Sequence, residues 1–310
     1  MKKEIVKNIF SDQKDTNIAL TSENNSPLLF KDLKDLSNKI SRQLSGNQIS
    51  NKDRAAIILP NGPHMASSFL AISSYMSAAP LNPNYKSDEY EFYLNDLKPK
   101  IVLVEPNSTN SVVDVAKKLK IPVCEIKIKK NQPTGFFDLF NKENNFNEPN
   151  ENDEALVLHT SGTTSRPKIV PLTNKNIYSS SLNISKSLSL SEEDHCLNIM
   201  PLFHIHGLIA IIASSMKSGA SVCASSGFNA LKFLELAKSE KITWYSGVPT
   251  MHQTIMLRAE KNLELAKNLN LRLVRSSSAS LPPAVFEKLN KVFNCPVIEA
   301  YGMTEATHQM

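Results

Sequence analysis

Short segments made only of apolar residues recur along this chain, and they constrain its fold more than any other feature. Residues 55–59, 101–104 and 155–158 contain no polar side chain. Helical patterns lie between such segments, and residues 26–45 form a clear example because leucine and isoleucine recur there at helical spacing. Strands without polar alternation, separated by helices, predict parallel sheets that are covered by helices on both faces. The sequence therefore predicts an α/β fold.

The same alternation continues to the end of the sequence. Further strands are predicted at residues 122–126, 196–200, 220–224, 243–247, 271–275 and 297–300. Further helices are predicted at residues 64–76, 174–188, 205–217, 229–239 and 282–293. Residues 79–85 contain two prolines and are predicted to be an extended connector, because a residue before proline disfavours helix. Residues 141–153 are polar and rich in asparagine, which indicates a surface connection.

Composition narrows the classes of function. The formal net charge of +5 comes from scattered lysines, and no basic run is interleaved with aromatic residues, so we expect no nucleic-acid partner. No apolar run is long enough for us to expect a membrane span. The four cysteines lie far apart and form no zinc-binding pattern, which indicates reduced thiols and a cytoplasmic protein. The sequence leaves the oligomeric state open.

One hydroxyl-rich run stands out between the apolar segments. Between Thr160 and Lys168 it holds five hydroxyl side chains, one glycine, one arginine and one lysine. Such a run has no apolar face, but it offers many hydrogen-bond donors and a cation to a polyphosphate. It does not match the P-loop spacing. The alternative is a solvated turn rich in serine and threonine between two strands.

Three further polar stretches follow predicted strands. Residues 200–207 contain His204 and His206, which could bind a metal, although no third ligand is evident, or could be structural histidines. Residues 274–282 carry small side chains that allow a flat ligand to approach the backbone, and Ser280 could instead cap the next helix. Residues 299–305 offer an aromatic face, a glycine, a hydroxyl and a carboxylate suited to Mg²⁺.

These four stretches, taken in order, resemble the motifs of the AMP-forming acyl-CoA synthetases, adenylation domains and luciferases, from about residue 25 to the end. The resemblance implies two α/β subdomains, roughly residues 51–195 and residues 1–50 with 196–310. It also implies ATP, Mg²⁺ and coenzyme A as cofactors and a small carboxylate as substrate. In such enzymes the carboxylate attacks the α-phosphorus of ATP, and a thiol then attacks the acyl carbon.

The resemblance also implies roles for particular residues. Catalysis is expected to involve Lys168, Thr304, Glu305 and His204, with Glu305 as the metal ligand and His204 lining the carboxylate tunnel. The expected nucleotide-binding residues are Thr160, Ser161, Gly162, Thr163, Thr164, Ser165, Lys168, Ser278, Ala279, Ser280, Glu299, Ala300, Tyr301, Gly302, Met303 and Thr304.

The acyl pocket is expected to take a short dicarboxylate. A second carboxylate needs a polar anchor, since a buried unpaired carboxylate is costly. His206, Ser278 and His308 lie on stretches that should converge, and the motifs around them are similar to those of the oxalate–CoA ligase branch. The open alternatives are a medium-chain or aryl acyl-CoA ligase, a non-catalytic nucleotide-binding remnant and a purely structural α/β protein.

The sequence departs from the family pattern in two places, and each departure leads to an expectation. Ile169 stands where the family usually has glycine, and a β-branched residue would distort the phosphate loop if the backbone there needed positive φ. The sequence stops directly after the fourth motif, so we expect an incomplete large N-terminal domain without the mobile C-terminal domain. Such a chain is expected to bind nucleotide weakly and to form adenylate poorly or not at all.

Overall fold

The computed structural model describes residues 2–23, 25–160 and 166–310. Of the predicted site residues, Ser161, Gly162, Thr163, Thr164 and Ser165 lie outside the described residues. The strands are β1 (Ile18–Thr21), β2 (Leu28–Leu29), β3 (Arg54–Ile58), β4 (Ser77–Pro80), β5 (Ile101–Val104), β6 (Val123–Glu125), β7 (Glu154–Thr160), β8 (Lys168–Thr173), β9 (His195–Asn198), β10 (Ser221–Ala224), β11 (Trp244–Gly247), β12 (Leu273–Ser277), β13 (Val297–Ala300), β14 (Gly302–Met303) and β15 (His308–Gln309).

The helices alternate with these strands. They are α1 (Phe30–Gly46), α2 (Pro63–Ser73), α3 (Ser87–Leu97), α4 (Val112–Lys118), α5 (Asn174–Ser187), α6 (Ser214–Ser218), α7 (Phe233–Ser239), α8 (Pro249–Ala259), α9 (Leu263–Lys267) and α10 (Pro283–Phe293). Two short 3₁₀ turns, Val6–Ile9 and Thr304–Ala306, and a π-helical segment, His206–Ala213, complete the described elements.

The strands form two large sheets and one small hairpin. The order is β13-β12-β11-β9-β10-β1-β2 in the seven-stranded sheet and β6-β5-β3-β4-β7-β8 in the six-stranded sheet. All neighbouring strands in the large sheets are parallel except two: β2 runs antiparallel to β1, and β8 runs antiparallel to β7. The prediction of parallel sheets flanked by helices is therefore confirmed, with one antiparallel strand at an edge of each sheet.

Three apolar clusters separate these layers. The largest contains side chains from both sheets, such as Leu20 and Leu103, together with Leu36 of α1 and Phe69 of α2. A second cluster covers the outer face of the seven-stranded sheet with α7, α8 and α10. A third covers the outer face of the six-stranded sheet with α3 and α4. Each sheet thus packs against helices on both faces.

The prediction of a connector at residues 79–85 was wrong at its beginning. Ser77–Pro80 is strand β4, which is fully buried and pairs with both β3 and β7. Proline is tolerated there because Pro80 is the last residue of the strand. Strands β1, β2, β14 and β15 were not predicted either because they are short, and β8 was not predicted because it begins with Lys168 and contains Pro171.

The seven-stranded sheet determines where the polar stretches meet. Strands β9, β11, β12 and β13 are parallel neighbours, so their carboxyl ends lie along one edge of the sheet. The segments after β9, β12 and β13 are three of the four polar stretches found in the sequence. Open α/β sheets bind ligands at this edge. Within the described residues, no helix has the length and apolar character needed to cross a bilayer.

Candidate active site

His206 lies at the centre of a buried polar cluster at this edge. It begins the π-helical segment His206–Ala213, a rare conformation that is frequent at functional sites. Its Nε2 lies 2.7 Å from Oγ of Ser246, at the end of β11, and its Nδ1 lies 3.1 Å from Oγ of Ser278, just after β12. The ring of His308 packs edge-on against it, with 4.9 Å between ring centroids. The structure thus brings together all three residues predicted to bind the substrate.

Burial keeps these histidines uncharged. Burial, together with the nearby His308 and Arg275, lowers the pKa of His206 well below its ordinary value of 6.5. Burial and the charge of Arg275 lower the pKa of His308 to about 3. Both rings are therefore neutral near pH 7. The Nδ1 atom of His308 is buried and has no hydrogen-bond partner among the described residues.

Arg275 is the main member of the cluster that the sequence analysis missed. Its side chain is fully buried, and it pairs with no carboxylate among the described residues. Its Nη1 donates to Oγ of Ser246 at 3.2 Å, and its Nη2 donates to Oε1 of Gln309 at 3.2 Å. Burial lowers the pKa of Arg275 to about 10, so the guanidinium remains charged at neutral pH. The cluster therefore contains one uncompensated positive charge beside neutral imidazoles.

The backbone around the cluster is unusual. Ser278, Thr307 and His308 have positive φ values of 75°, 56° and 94°. Such values are costly for residues other than glycine and concentrate at functional sites. Ser180 of α5 helps to hold this conformation, because its hydroxyl donates to the carbonyl oxygen of Thr307 at 2.6 Å.

The close packing of the backbone in the same region requires glycine at position 302. A Cβ atom at this position would lie 1.4 Å from the carbonyl oxygen of His308, across the β14–β15 hairpin. Only glycine allows this close approach. The sequence analysis assigned the space beside Gly302 to a nucleotide, whereas the close neighbour within the chain is the backbone of His308.

The fourth motif also approaches the hydroxyl-rich run. Strand β8, which begins at Lys168, lies against the turn Thr304–Ala306 that carries Glu305. Both Lys168 and Glu305 are exposed, and neither forms an ion pair with a described residue. A free lysine and a free carboxylate on adjoining elements fit a phosphate and its divalent cation, since Mg²⁺ commonly uses one or two carboxylates together with phosphate oxygens.

The hydroxyl-rich run is the connection of a hairpin. Thr160, the last residue of β7, pairs with Lys168, the first residue of β8. Ile169 pairs with His159 in the same ladder and does not have positive φ. The condition for a distortion by Ile169, a positive φ at this residue, is therefore not met, because a β-branched residue suits an extended strand.

A carboxylate from α3 contacts both ends of this connection. Asp96 lies 2.8 Å from Nε2 of His159 and 3.6 Å from the guanidinium of Arg166. The same guanidinium lies over the ring of Phe92, 5.2 Å from its centroid. The sequence analysis missed Asp96, whose only sequence signal is an acidic residue in a helix near the run.

The remaining predicted residues lie on the surface beside the cluster. Ala279, Ser280, Tyr301 and Met303 are exposed or partly so, and Tyr301 is 70% exposed. Glu299 instead anchors the neighbouring loop, because its carboxylate accepts a hydrogen bond from the backbone N–H of Leu281 at 2.9 Å. Ala300 likewise accepts, through its carbonyl oxygen, a hydrogen bond from Ser277. The nucleotide-binding roles of these residues stay predictions.

Two alternatives from the sequence can be compared with the structure. The residue that precedes α10 is Pro282, and no side chain caps this helix, so the interpretation of Ser280 as a helix cap was wrong. His204 is exposed and contacts the ring of Phe203, whereas His206 points into the buried cluster. No group of three potential metal ligands occurs among the described residues.

Comparison with protein families places this arrangement in a known class. A family model described as AMP-binding enzyme matches residues 10–310. The chain therefore belongs to the AMP-binding enzyme family, as the sequence motifs predicted. The chain is 40% identical over 278 residues to an oxalate–CoA ligase of Arabidopsis thaliana. The matched region covers 87% of this chain and 54% of that protein.

A second curated relative agrees with this assignment, and two solved structures share the fold. An oxalate–CoA ligase of Saccharomyces cerevisiae is 37% identical over 286 residues, covering 84% of this chain and 52% of that protein. The chain thus spans about half the length of the curated relatives it matches. Apo MatB from Rhodopseudomonas palustris has a TM-score of 0.85 at 22% identity, covering 98% of this chain and 60% of that chain. AMP-bound O-succinylbenzoate coenzyme A synthetase from Bacillus subtilis has a TM-score of 0.78 at 23% identity, covering 99% and 60%, so the fold is shared.

Proposed function

We propose that this chain takes part in the ATP-dependent activation of oxalate to an acyl-adenylate and then to a coenzyme A thioester. Membership in the AMP-binding enzyme family and the likeness to two oxalate–CoA ligases support this proposal. The single observation that carries the choice of acid is the cluster of the buried His206 and His308 with the exposed Ser278, beside the uncompensated charge of Arg275.

The cluster suits the distal carboxylate of a short dicarboxylic acid. A carboxylate that loses water needs hydrogen-bond donors and a positive charge, or its burial becomes too costly. Ser278 supplies a hydroxyl, His308 has a ring nitrogen without a partner among the described residues, and Arg275 supplies the charge. A fatty acid would need an apolar pocket instead, so the polar cluster argues against a medium-chain acid.

The nucleotide would lie between the cluster and the hydroxyl-rich run. Lys168 and Thr160 would face the phosphates from one side, and Thr304 would face them from the other. Glu305 would hold Mg²⁺, which neutralises phosphate charge when it is bound. The main task of these residues is to align two anions that repel each other and to balance the charge as it moves.

The chemistry requires no nucleophile from the protein in its first step. An oxygen of the carboxylate forms a bond to the α-phosphorus of ATP, and the bond to pyrophosphate breaks. In the second step the sulfur of coenzyme A bonds to the acyl carbon, and AMP leaves. His204, exposed beside Phe203, is proposed to line the path of the acid.

Calorimetry with MgATP and a panel of acids tests the proposal without requiring turnover by this chain. We expect oxalate to bind more tightly than succinate, benzoate or hexanoate, and we expect His206→Gln to remove that preference. Glu305→Gln is the matched variant at the other end of the site, and it should weaken MgATP binding while leaving the order of the acids unchanged.

Exchange of labelled pyrophosphate into ATP then separates the alternatives. Exchange that is equal or better with hexanoate or benzoate would favour a medium-chain or aryl acyl-CoA ligase. Binding of MgATP without any exchange would favour a non-catalytic nucleotide-binding protein.

A further inference from the structure

Arg275 is fully buried and forms no ion pair with a described residue. A fully buried guanidinium without a carboxylate is costly, because burial removes its water and no opposite charge replaces it. Its hydrogen bonds to described residues go to neutral groups, the side-chain oxygens of Ser246 and Gln309 and Nε2 of His206, and its Nε has no partner among them. We therefore expect the buried positive charge of Arg275 to have a role in the candidate active site.

The directions of the hydrogen bonds follow from the chemistry of the guanidinium, which can only donate. Nη1 donates to Oγ of Ser246 at 3.2 Å and also lies 3.4 Å from Nε2 of His206. An Nε2 that faces this donor must present a lone pair. Since an Nε2 that presents a lone pair carries no hydrogen, the contact of 2.7 Å with Oγ of Ser246 requires the serine hydroxyl to donate to Nε2.

The proton of the neutral His206 ring must then be on Nδ1. That atom lies 3.1 Å from Oγ of Ser278, so Nδ1–H donates and the serine oxygen accepts. No other hydrogen bond engages this oxygen within the described chain, and Ser278 is exposed. Its hydroxyl hydrogen is therefore free to point outward, from a residue held at a φ of 75°.

We propose that Arg275 is a positioning residue that acts through Ser246 and His206 to make the hydroxyl of Ser278 a directed hydrogen-bond donor for an anionic group of the substrate. The chain of four residues is called the Arg275 relay below. The inference rests on the proposed function only for the identity of the anion.

The relay has a consequence for selectivity. The outer end of the relay, the hydroxyl of Ser278, donates a hydrogen bond. It therefore favours ligands with oxygen acceptors, and its hydrogen bond to a charged oxygen is stronger than that to a neutral one. Oxalate and oxamate have the same shape, but oxamate replaces one carboxylate by a neutral amide. The relay should therefore favour oxalate over oxamate, and weakening the relay should reduce this preference.

Nuclear magnetic resonance of the histidine ring nitrogens tests the relay directly. Long-range nitrogen–proton spectra of uniformly ¹⁵N-labelled protein show which ring nitrogen carries hydrogen, and His206→Gln assigns the signal. We expect wild-type His206 to be neutral with its hydrogen on Nδ1. Hydrogen on Nε2, or on both nitrogens, would overturn the inference. The wild-type spectrum decides this even if a variant at Arg275 does not fold.

Calorimetry with oxalate and oxamate tests the consequence. We expect Arg275→Met to reduce the ratio of the two affinities by about tenfold, and Arg275→Lys to restore part of it because the charge remains. Arg258→Met is the control, since Arg258 is exposed on α8 and should leave the ratio unchanged. An unchanged ratio in a folded Arg275→Met protein would contradict the relay.

The two experiments also distinguish the relay from the proposed function. Hydrogen on Nδ1 together with no binding of any dicarboxylate would support the relay and contradict the oxalate assignment. Tight oxalate binding together with hydrogen on Nε2 would support the assignment and overturn the relay.

Discussion

Asp96 lies 2.8 Å from Nε2 of His159 and so fixes the end of β7 to helix α3. Because the same carboxylate also approaches Arg166 at 3.6 Å, it holds the start and the end of the hydroxyl-rich run together. The run itself is predicted to bind phosphates, so Asp96 is expected to set the spacing between its two ends without touching the nucleotide.

Replacing Asp96 by alanine should therefore weaken MgATP binding. His159 would lose a partner in a largely buried position, at a cost of about 1–2 kcal/mol in binding or stability. Calorimetry with MgATP and urea denaturation would measure the two effects. Asp88→Ala is the control, since Asp88 is exposed on the same helix and forms no ion pair with a described residue. Equal MgATP affinity in the two variants would contradict this role for Asp96.

Gly302→Ala should disrupt the β14–β15 hairpin. The added Cβ would meet the carbonyl oxygen of His308, and backbone cannot move aside as a flexible side chain does. We expect a loss of at least about 2 kcal/mol in the free energy of unfolding, together with weaker oxalate binding because His308 is displaced. The control is Gly247→Ala, whose Cβ would only reach ordinary contact with the ring of His252 at 3.4 Å. Similar stability of the two variants by urea denaturation would argue against the tight hairpin.

Acid should destabilise the protein through its buried histidines. In the unfolded chain these groups bind a proton near their ordinary pKa of 6.5, whereas burial lowers the pKa of His308 to about 3 and that of His252 to about 4. Between those values the unfolded chain binds more protons, so the free energy of unfolding falls as the pH falls below 6.5. Each histidine contributes at most about 1.4 kcal/mol per pH unit.

Urea denaturation between about pH 7.5 and about pH 5 would measure this slope. His252→Asn should reduce the slope of the free energy of unfolding against pH by the contribution of one histidine, because asparagine does not titrate. Carboxylates such as Asp138, whose pKa is lowered to about 2, lose their contribution at lower pH and do not confuse the comparison. An unchanged slope in the variant would show that the pKa of His252 is not lowered in the folded protein.

Asp194 is expected to be the most important ion-pair residue for stability. Its buried carboxylate receives two hydrogen bonds from Arg272, both 2.6 Å long, and others from Thr243 and the backbone of Ser191. Asp194→Asn should cost about 3 kcal/mol, with some screening by solvent because Arg272 is 40% exposed. Glu260→Gln is the control: its exposed pair with Lys288 should contribute almost nothing to the urea midpoint.

The sequence predicted the buried strands well because burial on both sides leaves a signature of uninterrupted apolar residues. β5, with only isoleucine, valine and leucine, is the clearest case. β4 lacked this signature because Pro80 signals a break, although its position at the strand end removes the conflict. β8 was not predicted because it begins with the exposed Lys168 and contains Pro171.

The candidate site was predictable in part. His206, Ser278 and His308 were chosen from motif order, and the structure places them in one cluster, although their role stays a prediction. Arg275 was missed because arginine is usually exposed, as is part of Arg272 three residues earlier, whose side chain is 40% exposed. Arg275 has the same strand parity as Leu273, which packs into the central core, so its side chain lies on the same inner face of the strand.

The buried guanidinium of Arg275 also affects the energetics of the empty protein. Among the described residues its interior charge has no counter-ion, so the ligand-free state departs from local electroneutrality. An anion taken from solution would restore that balance, and its binding would contribute to folding as well as to recognition. Measured stability would then rise with the concentration of a small organic acid.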